Sequence, residues 1–168
     1  MKRTICKHLI LTAMLCMFAV CTWAQEAYPM YYPCRAETGK WGYVDKNDNW
    51  SIRPQYDAVL YETNGGMYPV SLKGKWGFVG VSGEPLTDVV YDAAVCEIDY
   101  RKNGYKTNYA AVRRKGKWAF IDVQGKFITE FVYDEVLIMS GKYVIRQREG
   151  KTVKTGYLTE DAKEVWNK

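Results

Sequence analysis

The chain has 168 residues, with 24 Lys and Arg against 19 Asp and Glu, a formal charge of +5 and a single histidine. That is one domain's worth of chain, long enough to bury a core without staples. Of the lone His8 and five scattered cysteines, a leader would remove His8 and three of the cysteines, and what is left excludes most nucleophilic and zinc chemistry.

The first segment reads as an export signal. Lys2, Arg3 and Lys7 form a positive start, Leu9 to Val20 is a short apolar run, and Thr22-Trp23-Ala24 places cleavage before Gln25. The run is too short for a spanning helix of roughly 20 apolar residues. Cys21 is the candidate lipid anchor, although Val20 is larger than the residue that diacylation favours before its cysteine. Cleavage leaves residues 25–168 with 21 basic and 19 acidic side chains, so the mature charge falls to +2. His8 departs as well, and Cys34 and Cys96 are the two remaining cysteines. They fall on different strand types more than one repeat apart, so sequence alone leaves their pairing open. The expected product is exported (periplasmic, outer-surface or extracellular) and does not span the membrane after cleavage.

A strand around Tyr31 to Arg35 is expected to cap one end of the fold. Then a tetrad recurs: Gly39-Lys40-Trp41-Gly42, Gly74-Lys75-Trp76-Gly77 and Gly116-Lys117-Trp118-Ala119. An aromatic and a branched aliphatic follow each copy, as Tyr43-Val44, Phe78-Val79 and Phe120-Ile121. Each copy also ends in a Tyr-Asp pair, with 15 residues separating Trp41 from Tyr56, Trp76 from Tyr91 and Trp118 from Tyr133. Asp57, Asp92 and Asp134 complete the pairs. Three matches at one offset define a tandem structural repeat.

Within each copy the Gly-Lys step predicts a hairpin tip, where glycine supplies the positive φ that tight turns need. The strand after it puts Trp118, Phe120 and Asp122 on one face and Ala119, Ile121 and Val123 on the other. Both faces begin apolar, which predicts a strand covered on both sides. The residue after Trp (Gly42, Gly77, Ala119) needs smallness more than special dihedrals, and the close approach of a neighbouring ring is the expected reason. A second turn is predicted at Asp45–Asn49, Val81–Glu84 and Val123–Lys126, and the extended run after it leads to Tyr-Asp. Short apolar runs such as Ala93–Val95 and Val136–Ile138 come next. Turns at Asn64-Gly65-Gly66, Lys102-Asn103-Gly104 and Ser140-Gly141-Lys142 then lead into strands such as Tyr109–Val112. Each unit is thus four short antiparallel strands. A worn fourth copy, Lys154-Thr155-Gly156-Tyr157-Leu158, replaces the Trp with Thr155, and an atypical last unit suits the end of a stack.

These residues resemble bacterial WG-repeat (KWG-repeat) proteins, on Lys-Trp-Gly-[Tyr/Phe]-Val, the downstream turn and the closing Tyr-Asp. The resemblance covers about residues 32–165, with Ala119 and Thr155 as departures. It implies β-rich repeats, often exported or fused to other modules, with partner binding as the expected role and no assigned activity. The expected fold is all-β, with about three and a half repeats of antiparallel hairpins in a solenoid-like or incomplete propeller-like stack. Residues 1–24 are the signal and 25–168 the domain, with repeats near 32–66, 67–107, 108–141 and a partial one at 142–168.

Asp57, Asp92 and Asp134 could serve as paired carboxylates of a hydrolase. Recurrence argues against it, because a catalytic pair is unique in a chain, whereas an acid in every unit normally caps a turn through its own backbone. Asp45, Asn47 and Asn49 match the opening of a calcium loop, but Trp50 stands in place of its glycine and Tyr56 in place of its glutamate, which leaves a turn. The cluster Arg113, Arg114, Lys115 and Lys117 reads as a solvated tip, and a mature charge near +2 argues against nucleic acid. Trp41, Trp76 and Trp118 are expected in the core. Trp50 has no evident repeat counterpart and is expected at the surface. Tyr100, Arg101 and Tyr105 lie in the longest insertion, a candidate binding loop that runs on to Asn108. The first functional reading is an exported, non-catalytic scaffold for an envelope protein, without cofactor or metal. A glycan-binding module built on Trp50, Tyr100 and Tyr105 is the alternative, and a carboxylate-dependent hydrolase the third reading.

Overall fold

The computed structural model describes residues 30–60, 66–95, 109–139 and 142–167. The export signal, Cys96, the residues from Tyr100 to Asn108, and most of the turns expected near residues 64, 103 and 140 lie outside the described residues.

Four small antiparallel sheets follow one another along the chain. The first holds β1 (Tyr32–Arg35), β2 (Trp41–Val44) and β3 (Trp50–Tyr56), and the second holds β4 (Ala58–Val59), β5 (Tyr68–Leu72) and β6 (Lys75–Val79). The third holds β7 (Ala93–Val95), β8 (Tyr109–Arg114) and β9 (Lys117–Asp122). The fourth holds β10 (Glu135–Met139), β11 (Lys142–Glu149), β12 (Thr152–Leu158) and β13 (Glu164–Trp166). In the second and third sheets an irregular segment takes the fourth strand's place, bridging Val79 to Pro85 and Trp76 to Tyr91, then Ile121 to Phe127 and Trp118 to Tyr133. Its irregularity has a local cause. Thr87 Oγ1 accepts from the amide of Phe78, and Thr129 Oγ1 from that of Phe120, where a regular ladder would offer a carbonyl.

The chain changes sheet at the Tyr-Asp pair. Tyr91 exchanges backbone hydrogen bonds with Trp76 in its own sheet, while the next amide, Asp92, donates to Arg113 of the following sheet. Asp57 donates likewise to Ser71, and Asp134 to Arg146. The sheets are therefore phased on Tyr-Asp, breaking after Tyr56, Tyr91 and Tyr133.

Three apolar layers fill the gaps between sheets. The first joins Tyr43, Ile52 and Tyr56 to Tyr68, Val70 and Val79. The second joins Phe78 and Tyr91 to Ala110, Val112, Ala119 and Ile121. The third joins Tyr109, Ala111, Trp118, Phe120 and Tyr133 to Val136, Tyr143, Ile145 and Leu158. Strand β9 feeds two of them, Phe120 on one side and Ile121 on the other, so the two-sided burial read from its sequence is correct.

The tryptophans are a correction. Trp118 is buried, but Trp41 and Trp76 are only half-buried, whereas Tyr43, Phe78 and Phe120 are all 0% exposed. Each Trp is the first or second residue of its strand, beside a hydrophilic hairpin tip. The ring two residues on reaches the middle of the layer and forms the deep core.

The small residue after Trp is required, but for another reason than a neighbouring ring. A Cβ on Gly42 would overlap the Ile52 carbonyl oxygen and lie 2.9 Å from Pro54 N; on Gly77 it would lie 2.8 Å from Asp88 O and 2.9 Å from Val89 Cα. The obstacle is the backbone of the returning segment, which presses on the strand at this point. Neither glycine has a positive φ.

Capping at the ends is incomplete. Strand β1 joins the first sheet as an edge strand, and among the described residues no further sheet packs on that sheet's outer face, where Tyr32 is exposed. At the other end β13 completes the last sheet, and the Trp166 ring lies 6.4 Å from that of Tyr133.

Candidate functional surface

The second and third hairpin tips are two-residue loops with positive φ at both positions, 50° and 73° at Lys73-Gly74 and 51° and 81° at Lys115-Gly116. This is the type I′ pattern, whose twist suits flanking strands. Strands β11 and β12 extend their hairpin further and turn at Gly150-Lys151.

Beside these tips lies the most regular polar arrangement of the molecule. Asp57 Oδ1 accepts from the Lys40 ammonium, Asp92 Oδ1 from Lys75 and Asp134 Oδ1 from Lys117, each at 2.6 Å. The second carboxylate oxygen reaches the next sheet, accepting from the amides of Lys73, Lys115 and Arg148 at 2.7, 2.9 and 2.7 Å. Each aspartate therefore clips its own unit's Lys to the hairpin of the following unit. The expectation that these acids cap turns through their own backbone is corrected: the bond crosses between sheets. Sequence reasoning missed the lysine partner, although a 17-residue Lys-to-Asp spacing was there to be read in all three units.

The lysine hydrogen bond, followed by the backbone N–H, holds all three carboxyls below their ordinary value of 3.8. All are solvent-exposed, so Coulomb attraction is heavily screened and geometry matters more than charge. A carboxyl whose folded pKa is depressed stabilises the fold above its ordinary pKa and loses that contribution as pH falls through the folded value. Thermal melts of the wild type should therefore weaken on acidification between about pH 5 and pH 1. The variant carrying Asp57→Asn, Asp92→Asn and Asp134→Asn should start from a lower melting point and lose less over that range. Parallel curves for the two proteins would contradict this. Asp45 and Asp161 are held down by hydrogen bonds too, so the variant's curve should flatten without becoming level.

The second turn caps itself. Asp45 Oδ1 accepts from the amides of Asn47 and Asn49, and Asp122 Oδ1 from those of Gln124 and Lys126. This supports the turn reading of Asp45, Asn47 and Asn49 over a calcium loop. In the second unit Gly80 stands where the aspartate should be, and Glu84 Oε2 accepts from the equivalent amide, that of Ser82.

Because each clip joins neighbouring tips, the tips form a row along one side of the stack. Lys73, Arg113, Lys115, Arg148 and Lys151 are exposed on that side. The Arg114 guanidinium sits 4.7 Å from the centroid of the Phe131 ring. The self-capped turns on the opposite side carry the acids Asp45, Asp48, Glu84, Asp122, Glu160 and Asp161. Among the described residues no group of three His, Cys, Asp or Glu side chains could hold a metal ion.

Trp50 is exposed, as expected, at 41%. The view that it lacks a repeat counterpart is corrected, since it pairs with Val44 as Pro85 pairs with Val79 and Phe127 with Ile121. Trp, Pro and Phe at one position conceal the equivalence in sequence. Tyr100, Arg101 and Tyr105 lie outside the described residues. Cys34 is a half-buried free thiol on β1.

No curated protein and no solved structure matches the chain. The family model described as WG containing repeat matches residues 41–76 and 118–151. Between those segments the second and third sheets carry the same Lys-Asp clip, the same small residue after Trp and the same Tyr-Asp crossing. With two matched segments and a third unit that repeats their geometry, the chain is similar to WG-repeat proteins.

Proposed function

We propose that the chain is an exported, non-catalytic scaffold that binds an acidic protein of the cell envelope along its row of hairpin tips. The observation that carries this reading is the clip itself. It engages both oxygens of Asp57, Asp92 and Asp134 and aligns the tips, setting exposed Lys and Arg side chains in line along one side. The same geometry weighs against the hydrolase. A general acid at neutral pH needs a raised carboxyl pKa, and these three are lowered. Export rests on the leader, from Lys2 to Ala24.

The full-length chain produced in a bacterial host should appear outside the cytoplasm beginning at Gln25, which fractionation and N-terminal sequencing would read. In-cell cross-linking should capture a partner with an acidic surface. Its binding to the purified chain should weaken with salt and fall about tenfold or more in an Arg113→Glu, Lys115→Glu double variant. Retention in the cytoplasm, or binding indifferent to both salt and the charge reversals, would refute the proposal. The glycan reading predicts instead a change in Trp50 fluorescence on adding the sugar, with little salt dependence.

A further inference from the structure

The two ends of the stack are unlike, and each matches one half of an internal sheet interface. Inside the molecule, the face bearing the ring after Trp (Tyr43, Phe78, Phe120) packs forward onto the next sheet. The face bearing the following aliphatic (Val79, Ile121, Leu158) packs back onto the previous one. Val44 belongs to the second class, but among the described residues no sheet precedes its own. Directly paired across the strands, Tyr32, Val44 and Trp50 form a row on this outer face, with Tyr32 44% and Trp50 41% exposed. At the far end Tyr157 holds the position of Phe120, but among the described residues no sheet packs on its face. Leu137, Val144, Tyr157 and Val165 pair in register across all four strands of the last sheet and form an apolar row on its outer face. Val165 there is 37% exposed and Met139, on the same face, 56%. The internal Phe120 is 0% exposed by comparison, while Val44 is itself buried at 6% beneath its exposed neighbours Tyr32 and Trp50.

We infer that a second copy of this chain covers these faces, the first sheet of one molecule stacking on the fourth sheet of another and continuing the internal repeat of sheet on sheet. The contact places Tyr157, flanked by Val144 and Val165, against Val44 flanked by Tyr32 and Trp50. It restores the ring-against-aliphatic arrangement of the three internal layers. The Lys142 ammonium, 4.8 Å from the Tyr157 ring centroid, lies on the same face, and the incoming aromatics give it a second π surface. The two faces differ, so the contact is heterologous: the pair keeps one free face of each kind, and association continues beyond two unless the geometry closes a ring. The hairpin tips lie to the side of both faces, so partner binding and stacking fail independently.

The test uses the full-length chain, purified in the form a bacterial host yields, in sedimentation velocity runs from micromolar to near-millimolar concentration. The wild type should show larger species as concentration rises. Trp50→Glu and Tyr157→Glu should each weaken association by about tenfold or more, the scale of a lost aromatic anchor. The decisive arm mixes the two variants. Each retains the face the other lacks, so the mixture should form 1:1 dimers and nothing larger. A wild type that stays monomeric throughout overturns the inference. So does association of Trp50→Glu alone at wild-type strength, which would mean that its first-sheet face takes no part in the contact, or a mixture that stays monomeric while both variants give wild-type circular dichroism and melting. Should either variant misfold, Tyr32→Glu and Val165→Glu charge the same two faces.

Discussion

Phe120→Ala is expected to be among the most damaging single truncations, costing about 3–5 kcal/mol, the range for removing a fully buried aromatic ring. Phe120 lies at the centre of an aromatic group, its centroid 5.7 Å from Tyr109, 5.7 Å from Tyr133 and 5.2 Å from Tyr143. Those neighbours cannot collapse into the space left behind. The Tyr109 hydroxyl donates to the Thr159 carbonyl at 2.9 Å, Tyr143 to that of Val95 at 3.3 Å, and Tyr133 to Glu164. Moving any of these rings inward would leave a polar atom without its partner, so the cavity persists. Burial, followed by the nearby charges of Glu160 and Asp161, has already pushed the Tyr109 phenol up to about 12. A natural domain has about 5–15 kcal/mol in hand, so the variant should melt far lower or fail to fold. Denaturant titration would read the difference. A loss under about 1.5 kcal/mol, the scale of a tolerated hydrophobic swap, would mean the layer repacks.

The second large effect should come from adding one methyl group. Gly42→Ala forces a Cβ onto the Ile52 carbonyl, with Arg53 C and Pro54 N both 2.9 Å away. All three are backbone atoms in a paired strand, and rotamer changes cannot move them. The expected cost is about 1–3 kcal/mol, the range for overpacking, with Gly42→Val worse. Gly77→Ala should cost less, because its nearest atom, Asp88 O, lies at 2.8 Å, and Ala119 shows that the third unit accommodates the methyl. Melting temperatures in the order wild type, Gly77→Ala, Gly42→Ala would support this account. Equal stability of all three would show that the returning strand moves aside.

Much of the architecture could be read from the chain because its signals are periodic. Trp41, Trp76 and Trp118 fixed the unit length, Gly74 and Gly116 the hairpins, and the two apolar faces of β9 its place between layers. The features that escaped are those in which one structural job changes residue type. Trp50, Pro85 and Phe127 occupy one position without sharing a chemistry, so no pattern search aligns them. The depth of the core was misjudged at Trp41 and Trp76 because ring size suggests burial, whereas strand position decides it. The Lys-Asp clips joined two readable series, but a pairing between sheets depends on how the sheets stack, and stacking is not local information. Surface chemistry was the least legible, since the basic row exists only once the tips are aligned.

The corner formed by Gly80 and Glu84 shows how such a unit can diverge. A side chain added to Gly80 would begin inside the volume that the Glu84 carboxylate occupies. The anion that quiets this turn can thus be rooted on either of its two walls, and a side chain at Gly80 would have to displace the Glu84 carboxylate. The first and third units root it at the entry, as Asp45 and Asp122, and the second roots it at the exit. Passage between the two forms means relocating a charge, not refining a fit.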